Sequence, residues 1–591
     1  MPSVDISVEV CGMAGDGTIA AGGIINAALS RAGFFVLGFD SYPAEIRGFG
    51  RCVTHSRIGD EEILALEDRT HVLISLDDTQ SRSRIPYLDE AAAVFFEGNP
   101  AAPMREENAL APLVEPGTAL YPIPFSDLAS GASGTVRGRN LTAVGGFAAV
   151  FGADPEFFRS VITDIFRAKG EKVVGVNISS FDAGYRYAMD RYSDGLRPVL
   201  KSDPASHAAD NVMMSGNQAI GKGALDAGVR LYFGYPITPA TPIMEYLAKE
   251  LPKRGGRVVQ MEDEISSIGA VLGAFHAGTR AMTATSGPGF ALMTELITHG
   301  VMAEIPAVII NAQRGGPSTG LPTKTEQSDL HAAVFGGPGD SSRIVIAPTN
   351  VSQCYQYTVK SFQLAEKYQV PVIMLTDFYL DNRVENVEVP EASEEDRANG
   401  NIFPDDAEKG AYKRYRMTPS GISPRALPGM EGFNFAATGL EHAENSSPNY
   451  TPEIHTAMSD KRWRKLLGAL ADLPSPVEYS SGGRLDLGVI GWGSTFGSIH
   501  EAVNTAMRRG LKVGALKITA IFPYHEEVIR AFMARCRQIL IPELNYHGQL
   551  ANLISHLHSG DVVRLNRVTG SPIPPAEILA AMESLLEKDP K

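Results

Sequence analysis

The run Gly234-Tyr235-Pro236-Ile237-Thr238-Pro239-Ala240-Thr241 constrains this chain more than any other stretch. Prolines at 236 and 239 fix φ and withdraw two backbone donors, so the run is a stiff, extended loop and not helix. The apolar stretch 229–233 before it reads as a buried strand, and Ile243, Met244, Tyr246 and Leu247 after Pro242 recur at helical spacing. A threonine held at the carboxyl end of a strand in an α/β sheet stands where such sheets bind ligands. Taken alone, the run reads equally as a well-made strand-to-helix turn.

At 591 residues the chain is too long for one core, and roughly three or four domains are expected. A hydrophobic fraction of 44% with 20% charged residues is that of a globular protein. The net charge of −15 argues against nucleic acid or an anionic membrane as partner, since both require a basic surface. Cys11, Cys52, Cys354 and Cys536 are far apart and form no CxxC. They read as free thiols of a reducing compartment and exclude an iron–sulfur site built from a standard cysteine run. The N-terminus has no basic stretch leading into an apolar one, and no apolar run approaches the roughly 20 residues that span a bilayer, so a cytoplasmic location is expected.

Residues 6–10 read as strand, 19–32 as helix and 34–37 as strand, punctuated by Gly12, Gly15 and Gly17, which makes a βαβ unit. The glycines fall as GxxGxG, a weak dinucleotide fingerprint. In Ser41-Tyr42-Pro43-Ala44-Glu45-Ile46-Arg47-Gly48-Phe49-Gly50, Arg47 either cradles a phosphate or sits in a structural turn. Residues 191–214 are polar and aperiodic and read as a linker. A second α/β unit starts at Ser215, with a helix over 216–227 and strands at 229–233, 255–260, 281–284, 306–312 and 371–377. Met261-Glu262-Asp263-Glu264 opens a helix, and acids there ordinarily complement the dipole, the reading kept for Glu262 and Asp263. Gly269 and Gly273 in that helix permit close approach by a partner element. Thr285-Ser286-Gly287-Pro288-Gly289 reads as a loop whose glycines admit a ligand or backbone. Arg314, at a strand end, offers a planar fork to a carboxylate, or else forms a surface ion pair. Gly316-Pro317-Ser318-Thr319-Gly320 matches GxSxG, but Pro322 and the polar residues after it supply no helix behind the serine, which disfavours a hydrolase. Residues 380–480 turn charged and irregular and read as ordered excursions over the domain surface. A third α/β unit begins at Asp486, with strands at 487–490, 513–516 and 539–542 and a helix to about Arg509.

In combination, the octet, the Glu264 helix and the stretch from Arg314 to Gln327 resemble the 2-oxoacid:ferredoxin oxidoreductases, thiamine-diphosphate enzymes that oxidatively decarboxylate 2-oxoacids onto coenzyme A. The resemblance covers nearly the whole chain. It implies an α/β fold of three domains: a γ-type domain fused over 1–190, a linker over 191–214, a pyrimidine-type thiamine-diphosphate domain over 215–455, a connector over 456–484, and a transketolase C-terminal-like domain over 485–591. The resemblance also assigns roles. Glu264 is expected to be desolvated, with a raised pKa, and to share a proton with N1′ of the aminopyrimidine. Tyr235, Pro236, Ile237 and Gly287 are implied to contact the cofactor, Thr238 to donate to the substrate carboxylate or carbonyl, Arg314 to pair with the carboxylate, and Thr323 and Lys324 to contact substrate. For a second carboxylate, Lys324 or one of Lys413, Arg414 and Arg416 supplies the distal cation. Glu543 and His547 are implied to be interface or architectural residues.

Gly15-Asp16-Gly17 mimics the magnesium-binding GDG of thiamine enzymes, but Asn26 is too near and Asn99 too far to complete that motif. The chain is therefore expected to provide only the aminopyrimidine half of each site and no metal ligand. A β subunit would hold Mg2+, the diphosphate and a 4Fe-4S cluster, ferredoxin would take the electrons, and the assembly would be (αβ)2. The 320–327 and 413–425 segments look most like 2-oxoglutarate enzymes, which form succinyl-coenzyme A and carbon dioxide reversibly. Pyruvate or a branched-chain 2-oxoacid is the alternative substrate, and a non-catalytic scaffold subunit is the alternative of another class.

Overall fold

The computed structural model describes residues 4–42, 50–98, 110–201, 211–388, 393–398 and 400–588. Arg47 and much of the expected linker (202–210) lie outside them. The chain divides into two compact units, the first made of Met1–Met214, Arg383–Val389 and Pro574–Ala576, the second of the remainder. The architecture is the expected α/β, built on three sheets. Among the described residues no helix is long and apolar enough to cross a membrane.

The first unit contains β1 (Asp5–Met13), β2 (Phe35–Ser41), β3 (Arg51–Gly59), β4 (Thr70–Ser75), β5 (Leu88–Glu97) and β6 (Ala119–Ile123). The strand–helix–strand read from residues 6–37 is present, but β3 lies antiparallel between β1 and β2. This corrects the simple βαβ expectation. An antiparallel return needs only a short connection, so β3 can follow β2 directly and split the pair. Asp16 of the GDG look-alike serves structure: it accepts from Met13 N at 2.9 Å and pairs with Arg139 at 2.6 Å. The helices Arg139–Phe151 and Glu171–Arg191 touch backbone to backbone, because a side chain at Gly145 would strike the Phe181 carbonyl and one at Gly184 the Thr142 carbonyl. Inside the sheet, Glu9 accepts two 2.7 Å bonds from Arg84 and one of 2.9 Å from His55. Burial alone would raise its pKa, but His55 and Arg84 outweigh burial and hold it at about 2.

After β7 (Val212–Ser215), the second unit carries β8 (Leu231–Gly234), β9 (Arg257–Gln260), β10 (Ala281–Thr285), β11 (Ala307–Gln313), β12 (Ile344–Ile346) and β13 (Pro371–Asp377). β14 (Val384–Val387) returns to the first sheet, whose order is β6-β5-β4-β1-β3-β2-β14-β7. Every residue of β10, β11 and β13 is buried, as the unbroken apolar runs of a parallel sheet covered on both faces require. The last sheet uses β15 (Val477–Ser480), β16 (Leu485–Gly491), β17 (Val513–Lys517), β19 (Cys536–Glu543) and β20 (Val562–Asn566) in the order β15-β17-β16-β19-β20. Between β17 and β19 the chain crosses back as β18 (Ala520–Phe522), the antiparallel edge of the second sheet. The second sheet therefore reads β18-β12-β13-β11-β10-β8-β9. β15 lies in the stretch expected to be a connector and is a full member of the last sheet.

The charged excursion after residue 393 covers the far end of the second sheet. Glu304, just beyond the helix Gly287–Met302, is fully buried, and its carboxylate accepts from Lys461 and, at 2.6 Å, from Lys465. Arg414 donates to the Glu304 carbonyl at 2.7 Å. Burial opposes the Glu304 charge, but the lysines and Arg414 prevail and hold its carboxyl well below the usual range. One carboxylate cannot neutralise three cations, so the surplus falls on Lys465, whose amine burial lowers to about 7 despite the pull of Glu304. Between pH 7 and roughly 10.4, the pKa of a free lysine, the unfolded chain keeps the proton that folded Lys465 has released. The cost of burying Lys465 therefore falls as pH rises through that window. Lys465→Met is expected to raise the melting temperature most at pH 6, with the gain shrinking by pH 9, as differential scanning calorimetry would show; a gain independent of pH would refute this charge assignment.

Candidate functional site

β8, β10 and β11 are parallel neighbours, and their carboxyl ends bring three separate sequence stretches together. β8 ends at Gly234, and the loop it feeds contains a cis peptide between Thr238 and Pro239. Tyr235, Pro236 and Thr238 are exposed, while Ile237 is half-buried. Two buried side chains hold the loop's consecutive carbonyls. Arg314 Nη1 donates to Thr238 O at 2.7 Å, and Asn217 Nδ2 donates to Pro239 O at 3.2 Å. Arg314 directly follows β11, so the fork placed at a strand end by sequence spends one N–H on the backbone; its buried Nε has no partner. Burial lowers the Arg314 pKa, against the opposing charge of Asp329.

The helix Glu264–His276 is capped by its neighbour. The Asp263 carboxylate accepts from Ser266 N at 2.7 Å, and Ser266 Oγ accepts from Asp263 N at 3.3 Å. With capping done by Asp263, Glu264 is free to turn inward, and it is 6% exposed. Its carboxylate lies over Gly289, where an added methyl would collide with it and with the Thr285 hydroxyl. Among the described residues no side chain pairs with it.

Gly287 was expected in a loop but is the first residue of the helix Gly287–Met302, because Ser286 already has extended geometry and Pro288 suits the first turn. A Cβ at Gly287 would come within 2.8 Å of Asp329 Oδ2. Asp329 also accepts from Asn311 Nδ2 at 3.2 Å, and burial raises its carboxyl pKa against that bond and the Arg314 charge. Ser286 Oγ, Asn311 Oδ1 and Thr323 Oγ1 are buried without partners. Unpartnered buried polar atoms are rare in folded proteins, and two of these belong to neighbouring strands, Ser286 directly after β10 and Asn311 near the end of β11.

The stretch from Arg314 to Gln327 is a closed loop, bridged between Gly315 and Leu321. Ser318 has φ 58 and no helix begins until Leu330, so no nucleophile elbow is built. The Lys324 stem packs on Gly570, leaving its ammonium without an ion pair among the described residues. Lys413, Arg414 and Arg416 are elsewhere. Arg414 is bound at Glu304, beyond the C-terminus of a 16-residue helix whose N-terminus, at Gly287, borders the site, about 24 Å away along its axis. Lys413 and Arg416 pair with Glu444 and Glu408. The distal-cation alternative placed in that cluster is therefore discarded. Asn217 and Asp329 were missed by sequence reading, since a polar residue in a helix's first turn and an acid before a helix both look like ordinary caps. Glu543 is architectural: fully buried, it accepts from Leu550 N at 2.8 Å and Ala551 N at 3.0 Å. His547 is exposed beside Tyr546.

Family models match three stretches: pyruvate ferredoxin/flavodoxin oxidoreductase over residues 7–187, its thiamine-diphosphate-binding domain over 222–461, and pyruvate:ferredoxin oxidoreductase core domain II over 486–578. The chain is 36% identical to the 2-oxoglutarate synthase subunit KorA of Methanothermobacter thermautotrophicus, across 63% of this chain and 97% of that protein. It is 30% identical to the 2-oxoglutarate oxidoreductase subunit KorA of Mycobacterium tuberculosis, across 96% of this chain and 89% of that one. Among solved structures, it is similar to the 2-oxoglutarate:ferredoxin oxidoreductase of Magnetococcus marinus, determined with 2-oxoglutarate, coenzyme A and succinyl-CoA bound. That match has a TM-score of 0.90 and 36% identity over 98% of this chain and 99% of that one.

The two glycine environments separate cleanly. Gly289→Ala is expected to cost about 1–3 kcal/mol and to displace the Glu264 carboxylate. Gly273→Ala, with open space around the new methyl, is expected to be neutral or to stabilise by about 0.5–1 kcal/mol. Melting temperatures of the two variants, with a crystal structure of the first, check both.

Proposed function

The chain belongs to the 2-oxoacid:ferredoxin oxidoreductase family, and we propose that it is the α-type subunit, with a γ-type domain fused at its N-terminus, of an enzyme that oxidises 2-oxoglutarate. In this reading 2-oxoglutarate and coenzyme A give succinyl-coenzyme A, carbon dioxide, a proton and two electrons, and the reaction is reversible. The observation that carries the substrate is the end-to-end likeness to the Magnetococcus marinus enzyme, whose structure was determined with 2-oxoglutarate, coenzyme A and succinyl-CoA bound. Lys324, on the loop after Arg314 and without an ion pair among the described residues, supports it by suiting a second carboxylate.

The residues fit thiamine diphosphate. Glu264 is a covered carboxylate without a side-chain partner among the described residues, and Gly289 gives it room to lie where it does. When bound, thiamine supplies the carbon nucleophile and electron sink that decarboxylation requires. The work of this chain is then positional and protonic. Glu264 holds a proton at N1′ of the aminopyrimidine, with Tyr235, Pro236, Ile237 and Gly287 around the ring. Thr238 and Arg314 orient the reacting carboxylate, while Thr323 and Lys324 take the distal one. The domains are assigned as γ-type (1–190), linker (191–214), pyrimidine-type (215–455), connector (456–484) and transketolase C-terminal-like (485–591). A β subunit completes each site with Mg2+, the diphosphate contacts and a 4Fe-4S cluster, ferredoxin accepts the electrons, and two such pairs form (αβ)2. The four cysteines are buried and not in disulfides, which accords with a cytoplasmic enzyme.

The test is an anaerobic assay of the chain co-expressed with its β subunit, following coenzyme A-dependent viologen reduction by 2-oxoglutarate, pyruvate and 2-oxoisovalerate. Activity with 2-oxoglutarate is expected, falling at least about 100-fold in Glu264→Gln. Preference for another acid would discard the role of Lys324, and full activity in Glu264→Gln would favour a scaffold subunit.

A further inference from the structure

The loop carrying Thr323 and Lys324 is fastened to the part of the second unit built on the last sheet (the third lobe, from residue 485) chiefly at one fully buried residue, Gln327. All its hydrogen-bonding groups are engaged. Its backbone N donates to Leu544 O at 2.7 Å, and its carbonyl accepts from Asn545 Nδ2 at 3.0 Å, both at the end of β19. Its side-chain amide donates to Asp377 Oδ2 at 3.1 Å, at the end of β13. Its side-chain oxygen accepts from Thr495 Oγ1 at 2.7 Å, on the helix Thr495–Arg508 that follows β16.

The neighbours repeat the pattern. Thr325 Oγ1 donates to Asp377 Oδ1 at 3.1 Å, and Thr325 N to Gly570 O at 3.3 Å. Gln549 Nε2 donates to Ser328 O at 2.6 Å. Asn545 is itself held, donating to the buried Glu543 at 2.9 Å. Upstream, the loop closes on itself where Gly315 N donates to Lys324 O at 3.0 Å. Lys324 thus sits between an internal closure and an external clasp, its stem laid on Gly570 of the same third lobe.

We infer that Gln327 is a positioning residue for substrate selection: through it the third lobe fixes where Thr323 and Lys324 stand, and so which 2-oxoacid the site prefers. The inference rests on the reading of this site as a 2-oxoacid site and extends it to a residue that touches no substrate. A buried residue spanning three elements could serve stability alone. What distinguishes positioning is that loosening the clasp moves Lys324 but leaves Arg314, Thr238 and Glu264 on their own strand and helix ends, so binding of the longer acid should suffer first.

The experiment uses the co-expressed complex with Gln327→Leu, the gentler Thr495→Val, which deletes one hydroxyl from the clasp, and Thr495→Ser, which keeps it. KM and kcat are measured for 2-oxoglutarate and for the monocarboxylate 2-oxobutyrate, together with amide hydrogen exchange over residues 315–327. The expected result is a KM for 2-oxoglutarate raised about tenfold or more in Gln327→Leu. Its kcat stays near the parent value, KM for 2-oxobutyrate changes little, exchange over 315–327 quickens, Thr495→Val shifts less in the same direction, and Thr495→Ser behaves as the parent. Unchanged exchange, or KM values for both acids rising in parallel, would overturn the inference. A parent complex that turns over neither acid would sink the substrate reading instead, and the exchange arm would then decide the clasp alone.

Discussion

The hydrogen bond from Arg314 to the Thr238 carbonyl ties the end of β11 to the loop after β8, and the candidate site is arranged around that tie. A guanidinium is planar and permanently charged, so spending one N–H on a backbone carbonyl fixes the plane in which the others lie. Asn217 secures the next carbonyl from a third element, the helix Gly216–Asp226. The loop with two prolines is therefore rigid for two reasons: its own restricted φ, and donors on both carbonyls at its turn. Precise placement of a reacting carboxylate demands that kind of support.

Buried charge elsewhere in the chain is settled internally. Glu9 is held by Arg84 and His55, Glu366 by Arg280 at 2.7 Å, and Glu304 by Lys461 and Lys465. At Asp381, fully buried beside Thr376, the balance runs the other way, and burial raises its carboxyl pKa well above the ordinary value. Glu264 is handled differently. It stands at a helix N-terminus, where the dipole favours its charge, yet it lies over Gly289, and among the described residues no cation pairs with it. A carboxylate so placed is ready to meet a nitrogen from outside the chain.

Local signals in the sequence carried much of this. The strands of the second sheet that were read from apolar runs lie within two residues of their expected ends, and the proline octet and the Glu264 helix mouth stand at strand ends as their chemistry required. Pairing order was not legible: β3 slips between β1 and β2 because antiparallel neighbours are chosen by long-range packing, not by a local period. The cations at 413–416 looked available because charge patterning does not show where a segment lands, and Arg414 lands on Glu304. Likewise, nothing near Gln327 in sequence announces Leu544, Asn545 or Thr495, which lie more than 150 residues away. Contacts of that span are fixed by the packing of one lobe on another.

The measurement that bears most directly on the central claim is a structure of the co-purified complex with thiamine diphosphate bound. The account requires a Glu264 carboxylate oxygen within about 3 Å of the aminopyrimidine N1′. It also requires the diphosphate and its metal to be held by the partner subunit. Thiamine seated away from Glu264, or held at both ends by this chain alone, would contradict it.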